Sequence, residues 1–265
     1  LMLIERALEL EKLKKENQEL WDRSGLNEVY IGSSIVSTNL KNLIKKVSST
    51  KSRVLIKGSY GVGKQFVARM IHNQSNRKKS AFIIAKTKRQ DLDNLEEELF
   101  GKETIDGKIE KIGLLEQAHN GTLYIDEVSN LDLKMQARIV KLLAENVFTR
   151  VSGKVLINVN VRVLAGTNKD LIEEIKINGF REDLYYRLSV VPIDIPTLNN
   201  RAEDIPDLIS HFMKLCSKNL GLLPRVISQE AITVLQSKDW KGNIKELRSY
   251  VEQLLIISPD TDDMI

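Results

Sequence analysis

Residues 53–64 read Arg53-Val54-Leu55-Ile56-Lys57-Gly58-Ser59-Tyr60-Gly61-Val62-Gly63-Lys64. Arg53–Lys57 is a short β-branched-rich run that ends at a glycine. Gly58 to Lys64 then fits G-x-x-x-x-G-K, and Gln65–His72 takes up helical spacing. This strand–loop–helix context is the one a phosphate-binding loop requires. Glycines let the backbone curl so that successive N–H groups point inward, and the helix N-terminus adds positive partial charge. Gly58, Ser59, Tyr60, Gly61, Val62, Gly63 and Lys64 are therefore candidate phosphate binders, with Lys64 reaching the β- and γ-phosphates. The next position normally carries a hydroxyl that binds Mg²⁺. Here it is Gln65, an amide and a poorer magnesium ligand. The bland alternative is a glycine-rich turn beside a chance lysine.

A nucleotide site also needs an acid at the end of a buried strand. Gly121-Thr122-Leu123-Tyr124-Ile125-Asp126-Glu127 supplies two. Asp126 is expected to hold Mg²⁺ through water and Glu127 to polarise the attacking water. A strand ending in solvated acids is the competing reading, weakened by the loop that precedes it.

Further out, Ala81–Ala85, Thr122–Ile125, Val159–Ala165 and Val190–Ile195 read as strands, and Leu133–Glu145 as an amphipathic helix. Strands alternating with helices predict a mostly parallel sheet covered on both faces. After Pro196 the strands stop. Ala202–Ser217, Ser228–Ser237 and Asn243–Ile257 read as helices, so a boundary falls near Thr197–Arg201. At the other end, Leu1 to about Arg23 reads as one helix. Leu3, Leu10, Leu13 and Leu20 occupy a/d heptad positions, with Arg6 and Asn17 at the other two. A polar a-position Asn fixes register in coiled coils. This predicts a dimerising linker or, alternatively, an amphipathic helix packed on its own domain.

Composition bounds the rest. The 265 residues carry 40 Lys plus Arg against 36 Asp plus Glu, a net charge of +4, with 42% hydrophobic residues. That suits a globular chain and excludes collagen-like or wholly disordered ones. The charge excess is too small to diagnose nucleic-acid binding. The one cysteine, Cys216, excludes an internal disulfide and fits a reducing compartment. His72, His119 and His211 lie far apart, with no metal-ligand spacing. No apolar run approaches the roughly 18–20 residues of a membrane span, and charges from Glu5 onward exclude a signal peptide. A cytoplasmic location and no membrane partner are expected. Because the chain starts at Leu1, it is read as a segment of a longer protein.

These motifs, together with several others, resemble the central AAA+ ATPase domain of bacterial enhancer-binding proteins, which act with sigma-54 RNA polymerase. The others are Glu98-Leu99-Phe100-Gly101, Leu115-Glu116-Gln117-Ala118, and Gly166-Thr167-Asn168-Lys169-Asp170-Leu171. Most specific is Gly179-Phe180-Arg181-Glu182-Asp183-Leu184-Tyr185-Tyr186-Arg187-Leu188, followed later by Arg201–Pro206 and Trp240–Arg248. The resemblance covers about Tyr30 to Ile257. It implies an α/β P-loop AAA+ fold, a three-layer parallel sheet with a C-terminal helical lid, preceded by a linker helix. The expected divisions are 1–28 for the linker, at the end of a receiver domain, 29–198 for the nucleotide-binding body, and 199–265 for the lid. It implies ATP or ADP with Mg²⁺ as ligands. Asn168 resembles the first sensor, and Arg181 and Arg187 resemble fingers that reach a neighbour's ATP in a ring. Tyr30, Ile31 and Gly32 resemble the segment flanking the adenine, and within the family Gln65 replaces an acidic residue. Ion pairing with Glu182 and Asp183 is the competing reading of the two arginines.

Three departures stand out. The family's Gly-Ala-Phe-Thr-Gly-Ala loop, which grips sigma-54, has no trace in Lys102–Ile112. Lys86 stands where the family has an asparagine, and pairing of Lys86 with Glu127 is expected to brake catalysis. Lys245 replaces the second-sensor arginine, keeping the charge and losing the fork. The missing loop, the Leu114-Leu115-Glu116-Gln117-Ala118-His119-Asn120-Gly121-Thr122-Leu123-Tyr124 run and the Arg162-Val163-Leu164 strand resemble the NtrX branch of nitrogen-regulation response regulators. That resemblance implies a bacterial two-component protein. A sensor histidine kinase would act on a receiver domain, DNA would be bound by a C-terminal helix-turn-helix, both outside this chain, and RNA polymerase or its sigma factor would be a partner. Self-association is expected twice, through the linker helix and through the AAA+ ring. Two functions remain open: an ATP-hydrolysing ring, possessing Lys64, Asp126, Glu127, Arg181 and Arg187, or a nucleotide-binding switch with little hydrolysis, acting independently of sigma-54.

Overall fold

The computed structural model describes residues 29–87, 92–104, 106–221, 223 and 225–257. The expected linker helix at Leu1–Arg23 lies outside the described residues. The chain divides into two compact units, residues 1–31 and residues 32–265. Of the first unit only Val29, Tyr30 and Ile31 are described.

The second unit begins with α1 (Ile35–Ser48), capped by the Ser34 side chain, which accepts from the Ser37 amide. Leu40, Ile44 and Val47, at helical spacing, are buried. β1 (Val54–Lys57) leads through the glycine loop into α2 (Lys64–Asn73). β2 (Phe82–Lys86) and α3 (Leu92–Phe100) come next. A small hairpin, β3 (Lys102–Glu103) and β4 (Ile109–Lys111), precedes the single turn α4 (Leu114–Gln117). β5 (Thr122–Asp126) and α5 (Leu133–Glu145) are followed by a second hairpin, β6 (Val147–Phe148) and β7 (Ile157–Asn158). Then come β8 (Arg162–Thr167), α6 (Leu171–Lys176), α7 (Glu182–Leu188) and β9 (Val191–Asp194).

The main sheet runs β2-β5-β8-β1-β9 and is parallel throughout. β1, β5 and β8 are interior strands, which explains why they read as apolar runs rather than as alternations. Leu55, Leu123, Ile125, Val163 and Ala165 share one core with Leu95, Leu99, Leu115, Met135 and Ile139 from the helices on that side. Val54, Ile56, Tyr124 and Leu164 alternate with them along the strands and are equally buried. The strand expected at Val159–Ala165 starts later, at Arg162. There the Arg162 guanidinium is buried and donates to the carbonyls of Val47 (2.9 Å), Ser48 (3.3 Å) and Ser52 (3.2 Å), holding α1 against the sheet.

His72, at the end of α2, is fully buried, with Nδ1 2.9 Å from Thr122 Oγ1. Burial, aided by the positive charges of Arg69, Arg162 and Arg77, pushes its pKa down from 6.5 to about 4. The unfolded chain therefore binds this proton more tightly than the folded one. Its contribution to stability is complete above pH 6.5 and is lost as the pH falls toward 4. The expected loss is on the order of 3 kcal/mol. Urea unfolding at pH 7 and pH 4 checks this, with His72→Gln expected to flatten the difference.

The helical part is α8 (Ile205–Leu220), α9 (Gln229–Ser237) and α10 (Asn243–Ile257). The helix expected from Ala202 starts instead at Ile205. Asn199–Asp204 forms a tighter 3₁₀ turn broken at Arg201 (φ −143°), and Pro206 suits the first turn of α8. Asp204 is fully buried and accepts from the Ser34 amide (2.8 Å), Ser34 Oγ (3.0 Å) and Ser37 Oγ. One carboxylate thus ties the start of α1 to the start of the helical part. Trp240 is the anchor of this layer: it is 1% exposed, its Nε1 donates to Leu235 O (2.9 Å), and its ring meets Tyr250 edge-on. Among the described residues no helix is long and apolar enough to cross a membrane.

Candidate nucleotide-binding site

In a parallel sheet all strands end on the same side, so the loops after β1, β5 and β8 meet there. The order β5-β8-β1 makes those three strands adjacent. Lys64 follows β1, Asp126 and Glu127 end β5, and Asn168 follows β8. The topology alone brings together four of the residues singled out by sequence.

The loop after β1 needs its glycines. Gly61 (φ +79°) and Gly63 (φ +101°) occupy the left-handed region that L side chains rarely adopt. Lys64 is buried at the start of α2. Its Nζ donates to Gly58 O (2.9 Å) and Ser59 O (3.5 Å) and pairs with Glu127 Oε1 (2.8 Å). The second carboxylate oxygen of Glu127 accepts from the Asn168 amide (2.8 Å). Both oxygens of the candidate base are thus engaged. Glu127 itself sits at φ +54°, ψ +61°, costly for a side chain with no local stabilising role, at about 1–3 kcal/mol. Such strain persists only where the surroundings fix it.

Thr87 is part of that surrounding and was not anticipated. Its buried Oγ1 donates to Asp126 O (2.5 Å) and Glu127 O (2.7 Å), and its carbonyl accepts from Asn130 Nδ2 (2.9 Å). Register could have found it. Lys86 pairs with Asp126 across β2 and β5, so the next residue faces the strained turn. The expected Lys86–Glu127 pair does not form, because Lys64 holds that carboxylate and Lys86 is exposed.

Asp126 is half-buried at the strand end. Burial raises its carboxyl pKa, the Tyr124 hydroxyl bonded to Oδ1 (3.1 Å) opposes this, and the Glu127 charge adds to the rise. Tyr124 is fully buried, and burial followed by the Asp126 charge holds its hydroxyl far above the ordinary tyrosine range. Among the described residues Asp126 Oδ2 makes no protein hydrogen bond. A hard carboxylate oxygen left open beside a phosphate loop fits Mg²⁺, which takes one or two carboxylates plus phosphates and keeps several waters. Gln65 is exposed on the first turn of α2.

The helical part closes over the loop. Asn243 Nδ2 donates to Tyr60 O (2.8 Å), and the Lys245 amide donates to Gly61 O (3.3 Å). Lys245 Nζ bonds the Tyr60 hydroxyl and lies 4.9 Å from the centre of that ring. Ser59 is exposed and Val62 buried. Gly32 abuts the Asp204 carboxylate, which a Cβ at that position would approach to 2.6 Å. Tyr30 and Ile31 belong to the first unit.

Arg181 and Arg187 are not brought to this cluster. Arg181 precedes α7, and its guanidinium grips Asp183 with two bonds, Nε–Oδ1 at 3.0 Å and Nη2–Oδ2 at 2.8 Å. That pairing holds the Asp183 carboxyl below the usual range. The Arg181 backbone amide donates to Gln136 Oε1 (2.8 Å). Arg187 lies in the last turn of α7, and its carbonyl accepts from Arg53 Nη1 (3.4 Å).

A glycine loop between β1 and α2, acids at the end of β5, one strand removed from β1, and a helical cap define an AAA+ module of the P-loop class. Residues 30–194 match the sigma-54 interaction domain and residues 199–265 an AAA+ ATPase lid domain. The chain belongs to the sigma-54 interaction domain family. It is 41% identical to the nitrogen assimilation regulatory protein NtrX of Azorhizobium caulinodans over 262 residues, covering 99% of this chain and 58% of that protein. Crystal structures of NtrX from Brucella abortus superpose with a TM-score of 0.88. The one in complex with ATP is 40% identical and the one in complex with ADP 39%; 99% of this chain is covered in each, with 57% and 56% of those chains. The chain spans little more than half the length of the relatives it matches. The resemblance to the NtrX branch read from the sequence agrees with these relatives.

Proposed function

We propose that this chain binds ATP and ADP with Mg²⁺ at the cluster of Lys64, Asp126, Glu127 and Asn168. It does so as the central domain of a cytoplasmic bacterial response regulator that controls transcription. The observation that carries the reading is the convergence of a buried loop lysine and two strand-end acids at the C-terminal ends of the interior strands. The NtrX relatives crystallised with ATP and with ADP support it. Gly58–Gly63 cradle the phosphates, Asp126 holds the metal through water, and Glu127 activates the attacking water once a phosphate takes Lys64 from it. Asn168 senses the γ-phosphate, and Lys245 approaches it from the lid. Gln65 flanks the metal site, and Tyr30, Ile31 and Gly32 flank the adenine. In this reading residues 29–198 are the nucleotide-binding body, residues 199–265 the lid and residues 1–28 a dimerising linker. A receiver domain addressed by a sensor kinase and a DNA-binding helix-turn-helix belong to the whole protein, with RNA polymerase or its sigma factor downstream.

Hydrolysis takes place in a head-to-tail ring, where Arg181 and Arg187 of one subunit stabilise transition-state charge at the next. Steady-state ATPase measured against protein concentration tests this. The rate per subunit is expected to rise with concentration and to fall about 10³-fold in Arg181→Ala. A rate independent of concentration and untouched by Arg181→Ala overturns the ring. It favours the second reading, a nucleotide switch with little turnover that works independently of sigma-54. One observation supports that alternative: both Glu127 oxygens are already engaged, by Lys64 and by the Asn168 amide.

A further inference from the structure

Tyr124 occupies an interior strand with no exposed surface, yet it carries a hydroxyl. A buried hydroxyl needs a partner, and Phe would fill the same space without that requirement. The partner is Asp126 Oδ1 at 3.1 Å. Residues two apart in a strand project from the same face, so the ring of Tyr124 runs beneath the carboxylate. A second residue is shaped to the same hydroxyl. Gly166 lies in β8, hydrogen-bonded to β5, and a Cβ there would collide with the Tyr124 oxygen. Gly166 has a negative φ, so its backbone does not demand glycine. The space for the hydroxyl does.

We propose that Tyr124 is a positioning residue for the metal site: its hydroxyl holds Asp126 Oδ1 from below and so presents Oδ2 to the water shell of Mg²⁺. Gly166 is its complement, leaving room for the hydroxyl between the two strands. The inference rests on the nucleotide-binding reading above. Partners that orient a metal-binding carboxylate typically govern metal affinity by about 10–100-fold. Tyr124 acts through a carboxylate that itself holds the metal by way of water, which places it at the low end.

The test is Tyr124→Phe in the whole chain, with binding of a fluorescent ADP analogue titrated against Mg²⁺ and repeated in EDTA. The Mg²⁺ concentration at half-effect is expected to rise about tenfold, while affinity in EDTA stays unchanged. A merely structural tyrosine would lower affinity equally in both conditions, or would leave the Mg²⁺ midpoint unmoved, and either result overturns the proposal. Asp126→Asn separates the two layers of the argument. If Asp126→Asn leaves Mg²⁺ dependence intact, the metal assignment itself fails. If it abolishes that dependence and Tyr124→Phe does not shift it, only the role of Tyr124 fails. Gly166→Ala supplies the independent arm: it displaces the hydroxyl with Tyr124 still present and is expected to move the midpoint in the same direction.

Discussion

Replacing Arg150 with alanine is expected to lower the unfolding free energy by about 3 kcal/mol, the lower end of what stranding buried ionic partners costs. Arg150 stands between two carboxylates. Nη1 pairs with Glu103 Oε1 at 2.5 Å, while Nη2 and Nε reach Glu116 at 2.5 and 2.8 Å. The side chains are 10%, 5% and 18% exposed, so water cannot replace the lost donors at Glu103. Burial is incomplete at Glu116, where water partly compensates the lost donors. The arginine fork makes the pairing specific, and Arg150→Lys is expected to recover less than half of the loss. Chemical denaturation of both variants checks this. An Arg150→Ala loss under about 1 kcal/mol would mean that the cluster behaves as an exposed one. The cluster joins the β3–β4 hairpin, through Glu103, to the loop between β6 and β7. The β3–β4 hairpin is thus fastened to its neighbour at its base.

Lys64→Ala is expected to weaken ATP binding by about 10–100-fold, the equivalent of one charge-assisted hydrogen bond of about 1.5–3 kcal/mol. Stability is expected to change much less. Lys64 leaves behind a Glu127 that is 22% exposed and still bonded to the Asn168 amide. Fluorescence titration with a labelled ATP analogue, alongside thermal unfolding, distinguishes the two effects. Equal affinity in the variant and the parent chain would sink the phosphate-loop assignment. Lys64→Gln is a useful companion, since it retains length without charge and is expected to bind as weakly as the alanine variant.

The loop, the strand-end acids and the parallel sheet were legible because each rests on a local pattern with a demanding backbone. Gly61 and Gly63 sit where φ is positive, and the apolar runs of β1, β5 and β8 are buried on both faces. The pairing inside the site was not legible. Family position and opposite charge nominated Lys86 for Glu127, yet strand alternation turns Lys86 outward and delivers Thr87 to the turn instead. Nor does sequence announce that Tyr124 reaches Asp126, since a strand tyrosine most often reads as packing. Two-residue strands such as β3 and β6 escape any periodicity argument. The start of β8 at Arg162 is fixed by a guanidinium bonded to carbonyls about 110 residues earlier in the chain, a relation no local window contains. The two arginines were read for a neighbour, and within one chain Arg181 finds Asp183.

The lid rests on the phosphate loop backbone to backbone. Gly61 has no side chain, and the space one would fill belongs to the Gly242 carbonyl. This makes the two segments mechanically inseparable at that point: a side chain at residue 61 is a wedge. Gly61→Ala would force the lid away from the loop with Lys64, Asp126 and Glu127 left unaltered. Movement of the lid can likewise be felt by the loop without any ligand to relay it.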